Sequence, residues 1–196
     1  MKNKDTVTFQ NKTIHISEIS NMNYNDQCEL LKIKGNAIQY LMNATLEQQL
    51  IAVRQNGYAI RHISNPTYEV QKQAFTTSPT AVQFVKDPIE ELLMQAFDKD
   101  PNVLPFLKNP TYKQKLSAVS RKGATIQYIS CPTPELINVA INQNPMAIGH
   151  LNNADNKYIL KAINANPKCV KNIINKLPRN LVIEALKRKG YLIKYM

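Results

Sequence analysis

The stretch Ala52-Val53-Arg54-Gln55-Asn56-Gly57-Tyr58-Ala59-Ile60-Arg61-His62-Ile63-Ser64-Asn65-Pro66 holds the plan of the chain: an alanine, an Asn-Gly, a short apolar run carrying a ring, and an Asn-Pro. The arrangement recurs on both sides of it. Gly35, Gly57, Pro79, Pro101, Gly123, Pro145 and Pro167 stand 22 residues apart, and Gly190 follows after 23. The clearest continuations of this anchor read GNAIQYL, GYAIRHI, GATIQYI and GYLIKYM. A period this short marks one supersecondary unit that cannot bury its own apolar face, so the units must stack on one another.

Each unit opens on a helix-start signal, as in Asn65-Pro66-Thr67, Asn109-Pro110-Thr111 and Cys131-Pro132-Thr133. Threonine is a good N-cap, Thr45 with Gln48 and Thr111 with Gln114 have capping-box spacing, and Pro134 suits a first helical position. Asp87-Pro88-Ile89-Glu90 gives the same signal slightly earlier in its unit. A first helix then runs to a fixed alanine, at Ala52, Ala74, Ala96, Ala118, Ala140, Ala162 and Ala185, small enough for neighbouring helices to approach closely. The anchor ends that helix, as a glycine or proline does where the chain turns sharply.

A second, shorter helix follows. Sites two, three and six after the anchor are nearly always apolar, as in Ala59, Ile60 and Ile63, which puts one face in a core. The fifth site reads Tyr40, His62, Phe84, Phe106, Tyr128, His150, Asn172 and Tyr195. It flanks the buried face, so its rings are expected half-exposed in the packing seam. Before the repeats, Thr6–Gln10 and Thr13–Ser17 alternate polar with apolar around Asn11-Lys12, the pattern of a β-hairpin. An isolated hairpin is marginal in water, so it must cap the first repeat or join a partner's sheet. The expectation is an all-α fold, an α-solenoid of about eight two-helix repeats over 27–196, preceded by the hairpin and a linker over 1–26.

The 196 residues are 43% hydrophobic, yet no apolar run reaches the roughly 18–20 residues that cross a bilayer, so no membrane partner is expected. MKNKDTVTF has no apolar segment behind its basic residues and does not read as a secretory signal, which points to a cytoplasmic protein. Cys28, Cys131 and Cys169 show no CxxC, and His15, His62 and His150 stand at no metal-ligand spacing from them. Cys169 takes the site of Ala37, Ala59, Ala81 and Ala147 and should pack as a small apolar residue, leaving Cys131 as the candidate reactive thiol. Phosphate loops, nucleophile elbows and HExxH are absent, and acidic residues are scarce in the second half, so no catalytic residue, metal or cofactor is assigned.

The net charge of +11 is uneven: residues 1–98 hold 9 Lys/Arg against 10 Asp/Glu, and residues 99–196 hold 16 against 4. Lys157, Lys161, Lys168, Lys171, Lys176, Arg179, Lys187, Arg188 and Lys189 form the candidate surface for an anionic partner, whether an acidic protein patch or a phosphate backbone. The apolar ending, with Leu192, Ile193 and Tyr195, is the candidate surface for self-assembly, since a last repeat without a polar cap invites stacking.

An alanine-bearing helix, then Asn-Gly or Asn-Pro, then A-[IL]-x-[YH]-[IL] resembles the short α-helical repeats of bacterial, large-virus and tailed-phage domains of unknown function. It is more distantly similar to HEAT-type and leucine-rich-variant repeats. The resemblance covers roughly residues 27–196 and implies a binding scaffold with no catalytic residues to carry over. Richness in Asn, Lys and Ile adds an AT-rich coding genome, which with the repeat type implies a phage-encoded factor that binds or inhibits a host defence complex in the host cytoplasm. Three functions stay open: a protein-binding scaffold, a nucleic-acid binder using the basic half, and a self-assembling homo-oligomer.

Overall fold

The computed structural model describes residues 5–173, Leu181 and Ile183. Among them, seven α-helices of ten residues each start at a strict 22-residue step. They are α1 (Tyr24–Ile33), α2 (Leu46–Gln55), α3 (Tyr68–Thr77), α4 (Glu90–Lys99), α5 (Tyr112–Arg121), α6 (Pro134–Gln143) and α7 (Asn156–Ala165). The second helix of each unit is a 3-10 helix: η2 (Gly35–Tyr40), η3 (Gly57–His62), η4 (Pro79–Phe84), η5 (Pro101–Phe106), η6 (Gly123–Tyr128), η7 (Pro145–His150) and η8 (Pro167–Cys169), the last running into α8 (Val170–Ile173). The apolar sites three and six after the anchor are three apart, and at three residues per turn they eclipse on one side. Two compact units divide the chain, Met1–Leu107 and Lys108–Met196, with η5 and its two prolines, Pro101 and Pro105, closing the first. The fold class expected from the repeat is the one observed.

The start of each α-helix is written locally. Thr45 and Thr111 make full capping boxes with Gln48 and Gln114, while Thr67 and Thr133 accept from Val70 and Leu136. Such a cap contributes about 1 kcal/mol. The expectation for Asp87 fails: α4 keeps the 22-residue register, its N-cap is Ile89, and no side chain caps it. The Ile89 N–H is served instead by Gln71 Oε1 of the preceding repeat, at 3.2 Å.

At the other end, the C-cap N–H returns to the fixed alanine carbonyl, for example Asn56 to Ala52 at 2.9 Å and Asn144 to Ala140 at 2.8 Å. The asparagine side chain then caps the 3-10 helix, its Oδ1 accepting from Tyr58 N at 3.1 Å and Met146 N at 3.0 Å. The helix ends at the anchor as expected, through an extended cap residue, and no described glycine has a positive φ. Space explains the glycines. A Cβ on Gly35, Gly57 or Gly123 would stand 2.3, 2.5 or 2.5 Å from the carbonyl oxygens of Ala52, Ala74 or Ala140 in the next repeat.

The core is the stack itself. Ala52, Val53, Ala59 and Ile60 are fully buried, and their counterparts in both units repeat the pattern. Buried glutamines tie repeats together: Gln48 accepts from Thr45 N at 3.0 Å and donates to Gln27 at 2.7 Å, which in turn donates to the carbonyls of Ile19 and Met22. No buried side-chain polar atom among the described residues lacks a partner.

The hairpin pairs β1 (Thr6–Phe9) with β2 (Lys12–His15), Phe9 facing Lys12. Its turn is Gln10-Asn11, one residue earlier than expected, with both φ values positive as a type I′ turn requires. It caps the first repeat: Gln10 bonds Asp26 of α1 at 2.9 Å and His15 meets Tyr40 edge-on at 6.4 Å. Helix η1 (Ile16–Asn21) follows and buries Ile16 and Ile19 near the stretch expected to be a linker with a short helix, and α1 begins at Tyr24.

The close approach at the anchor is testable. Gly123→Ala is expected to cost about 1–3 kcal/mol by overpacking against a backbone that cannot yield. Gly149→Ala should cost less, since its nearest neighbour is the Asn172 side chain at 3.1 Å. Urea denaturation of both variants measures the difference.

Candidate interaction surface

The ring at the end of each 3-10 helix points out of the core. Phe84, Phe106 and Tyr128 are 38%, 41% and 45% exposed, His62 and His150 are exposed as well, and Tyr40 is half-buried. Phe84, Phe106 and Tyr128 are thus half-exposed, as expected of a site that flanks the buried face, and each ends its 3-10 helix. In the first unit the 3-10 helices η2 to η5 stack in sequence, so Tyr40, His62, Phe84 and Phe106 recur along one edge; in the second unit η6 and η7 do the same with Tyr128 and His150.

Phe84 is held from two sides. Tyr58 meets it edge-on at 5.9 Å and the Arg61 guanidinium lies 4.9 Å from its centroid. Arg61 is itself pinned by its Nε donating to the Tyr58 carbonyl at 3.0 Å, and the Tyr58 hydroxyl bonds Thr80 at 2.6 Å. An exposed cation–π contact contributes about 0.5–1 kcal/mol, enough to fix a rotamer. Partial burial of its ring, helped by the neighbouring Arg61 charge, holds the His62 pKa below the usual value. At neutral pH it adds an uncharged ring.

Four of the anion-binding candidates fall on described elements. Lys157 and Lys161 stand one turn apart on α7; Lys168 and Lys171 are exposed on η8 and α8. The Lys157 ammonium lies 3.8 Å from Asp155 and 4.8 Å from the Tyr158 ring, and Lys161 donates to Asn138 Oδ1 at 2.7 Å. Lys176, Arg179, Lys187, Arg188 and Lys189, and the self-assembly candidates Leu192, Ile193 and Tyr195, lie outside the described residues. Over 108–173 the second unit carries 9 Lys/Arg against Glu135 and Asp155. A cavity of about 370 Å³ in this unit, beside Tyr158, has no counterpart in the sequence reading.

No group of three metal-ligating side chains is present among the described residues. Cys169 is fully buried, as its alanine site implied, and burial pushes its thiol pKa up to about 11. No helix among the described residues is long and apolar enough to cross a membrane. Fold and surface define a class: an all-α protein of stacked two-helix repeats with an N-terminal hairpin, presenting rings along its 3-10 edge. No protein-family model, curated protein or solved structure matches the chain.

The thiols separate by access. Cys131 is exposed, whereas Cys28 and Cys169 are buried. Iodoacetamide at neutral pH should label Cys131 alone in the native protein and all three only in denaturant, as read by intact-mass spectrometry.

Proposed function

We propose that this protein is a non-enzymatic scaffold that engages another protein through the rings of its 3-10 edge. The observation that carries this reading is the exposure of Phe84 and Phe106, large apolar rings that a monomer gains nothing by showing to water. Aromatic side chains are enriched in interface cores, and a ring already fixed by Tyr58 and Arg61 loses little freedom on binding. A repeat protein presents such a site once per unit, so affinity accumulates along the edge.

One observation favours a second reading, a nucleic-acid binder: the basic excess of the second unit, 9 residues against 2 over 108–173. That mode weakens steeply with salt, whereas ring burial does not.

The two readings part in one experiment. Tagged protein, treated with nuclease, is recovered from its native cells, cross-linked and mapped by mass spectrometry beside Phe84→Ala/Phe106→Ala. The expected result is a protein partner cross-linked near the 3-10 edge and depleted about tenfold or more in the double variant, whose circular dichroism is unchanged, in line with roughly 1–2 kcal/mol or more for each anchoring ring. Equal recovery from both proteins would sink the reading. Recovery of nucleic acid that leaves between low and high salt would put the second one in its place.

A further inference from the structure

The anchor comes in two kinds, and they close the repeat junctions differently. At two glycine anchors the N–H reaches the last residue of the next α-helix: Gly35 donates to Gln55 Oε1 at 2.8 Å and Gly123 to Gln143 Oε1 at 2.7 Å. At Gly57 the corresponding residue is Thr77, and an added Cβ would stand 2.7 Å from Ser78 Cβ. Where the anchor is proline there is no N–H to give, and a ring replaces the hydrogen that fitted against the alanine carbonyl. The residue twenty further on is then Lys99 after Pro79 and Ala165 after Pro145, neither of them a glutamine. The packing follows the chemistry. Pairs α1–α2, α2–α3 and α5–α6, joined at glycine, pack far more extensively than α3–α4 and α6–α7, joined at proline.

Two cavities lie between helices of the looser pairs. The one between α3 and α4 is about 20 Å³. The larger, about 370 Å³, lies within the second unit between the η6–α6 and η7–α7 segments, at the starts of α6 and α7 and away from the Pro145 anchor. Its floor is apolar, with Ile126, Ile129, Leu151 and Tyr158 buried; its rim includes Ser130, His150 and Asp155. The volume is at the small end for ligand pockets, which run from about 300 to 1,000 Å³, and suits one or two side chains.

We propose that the cavity between the starts of α6 and α7 receives a single apolar side chain, aromatic or leucine-sized, from an acidic protein segment, with Lys157 pairing the carboxylate beside it. The proposal rests on the protein-scaffold reading and names a partner chemistry for it. The floor specifies the anchor: isoleucine, leucine and a tyrosine ring offer an alkyl or aryl group close packing and no charge. The surroundings specify the flanks. Lys157, its side chain 67% exposed, holds its ammonium 4.8 Å from the Tyr158 ring that lines the cavity. Lys161 stands one turn further along α7, and the unit's described residues carry 9 cations against 2 carboxylates, one of which, Asp155, Lys157 already screens at 3.8 Å. An acidic segment is drawn to this field, and a basic one is repelled.

The test is a selection of displayed random peptides on the purified, nuclease-treated protein at low salt, followed by fluorescence anisotropy with the enriched sequences. The expected consensus is one Leu, Phe or Trp flanked by two or more Asp or Glu. Its affinity should fall at least tenfold in Ser130→Trp, which places an indole at the mouth, and in Lys157→Glu. Ala154→Trp, which fills the mouth from the α7 side, should do the same. Absence of such a consensus, or consensus peptides indifferent to both Ser130→Trp and Ala154→Trp, would overturn the proposal. So would a labelled single-stranded oligonucleotide that binds and is weakened by Ser130→Trp. If peptides ignore the cavity while capture through Phe84 and Phe106 persists, this proposal falls and the scaffold reading stands; loss of capture alone does the reverse.

Discussion

The contact that sets the tight junctions of the repeat is the approach of the glycine anchor, Gly35, Gly57 or Gly123, to the alanine carbonyl of the next repeat, with room for less than a methyl group. That carbonyl already accepts the C-cap N–H of its own helix, so the alanine ends one helix and supports the preceding repeat at once. Both tasks need a small side chain with its backbone accessible, and Ala52, Ala74, Ala118, Ala140 and Ala162 are all fully buried. The helix length then follows. A ten-residue helix places the cap four residues beyond the alanine, and a shorter or longer one would move the anchor off the carbonyl it has to meet. Even α4, with no capping side chain, keeps this register and takes its missing hydrogen bond from Gln71 next door.

What was legible in the sequence was whatever has a local cause. The 22-residue step, the threonine caps, the hairpin and the small buried site of Cys169 follow from spacing and side-chain chemistry within a few residues. The 3-10 geometry was written there too, in the three-residue interval between Ile60 and Ile63, but the same apolar sites also suit an α-helix. One feature was not local. The need for glycine, and not merely for a helix-ending residue, is dictated by an atom about 17 residues away.

The junctions carry a hidden signal of the same class. It is a pair of positions twenty residues apart, glycine with glutamine at two tight junctions and proline with alanine at the looser α6–α7 one. Neither member means much alone. Read as a pair, they say whether a junction is hydrogen-bonded shut, and they do so through backbone chemistry that a single substitution at either end removes. A repeat protein can therefore tighten or loosen one chosen junction without altering the helices that flank it.

The two units also differ in the kind of recognition they support. Residues 1–107 carry 10 Lys/Arg against 11 Asp/Glu, so an interaction there draws on ring burial and shape, which salt leaves almost untouched. Over 108–173 the cations prevail, and long-range attraction adds to the rate of encounter while being screened within about 8 Å at physiological ionic strength. Attraction of that sort brings an acidic surface near without fixing its register. Register requires a feature of fixed shape, and within the basic unit the cavity floored by Ile126, Leu151 and Tyr158, with Lys157 against the Tyr158 ring, brings both terms to one place.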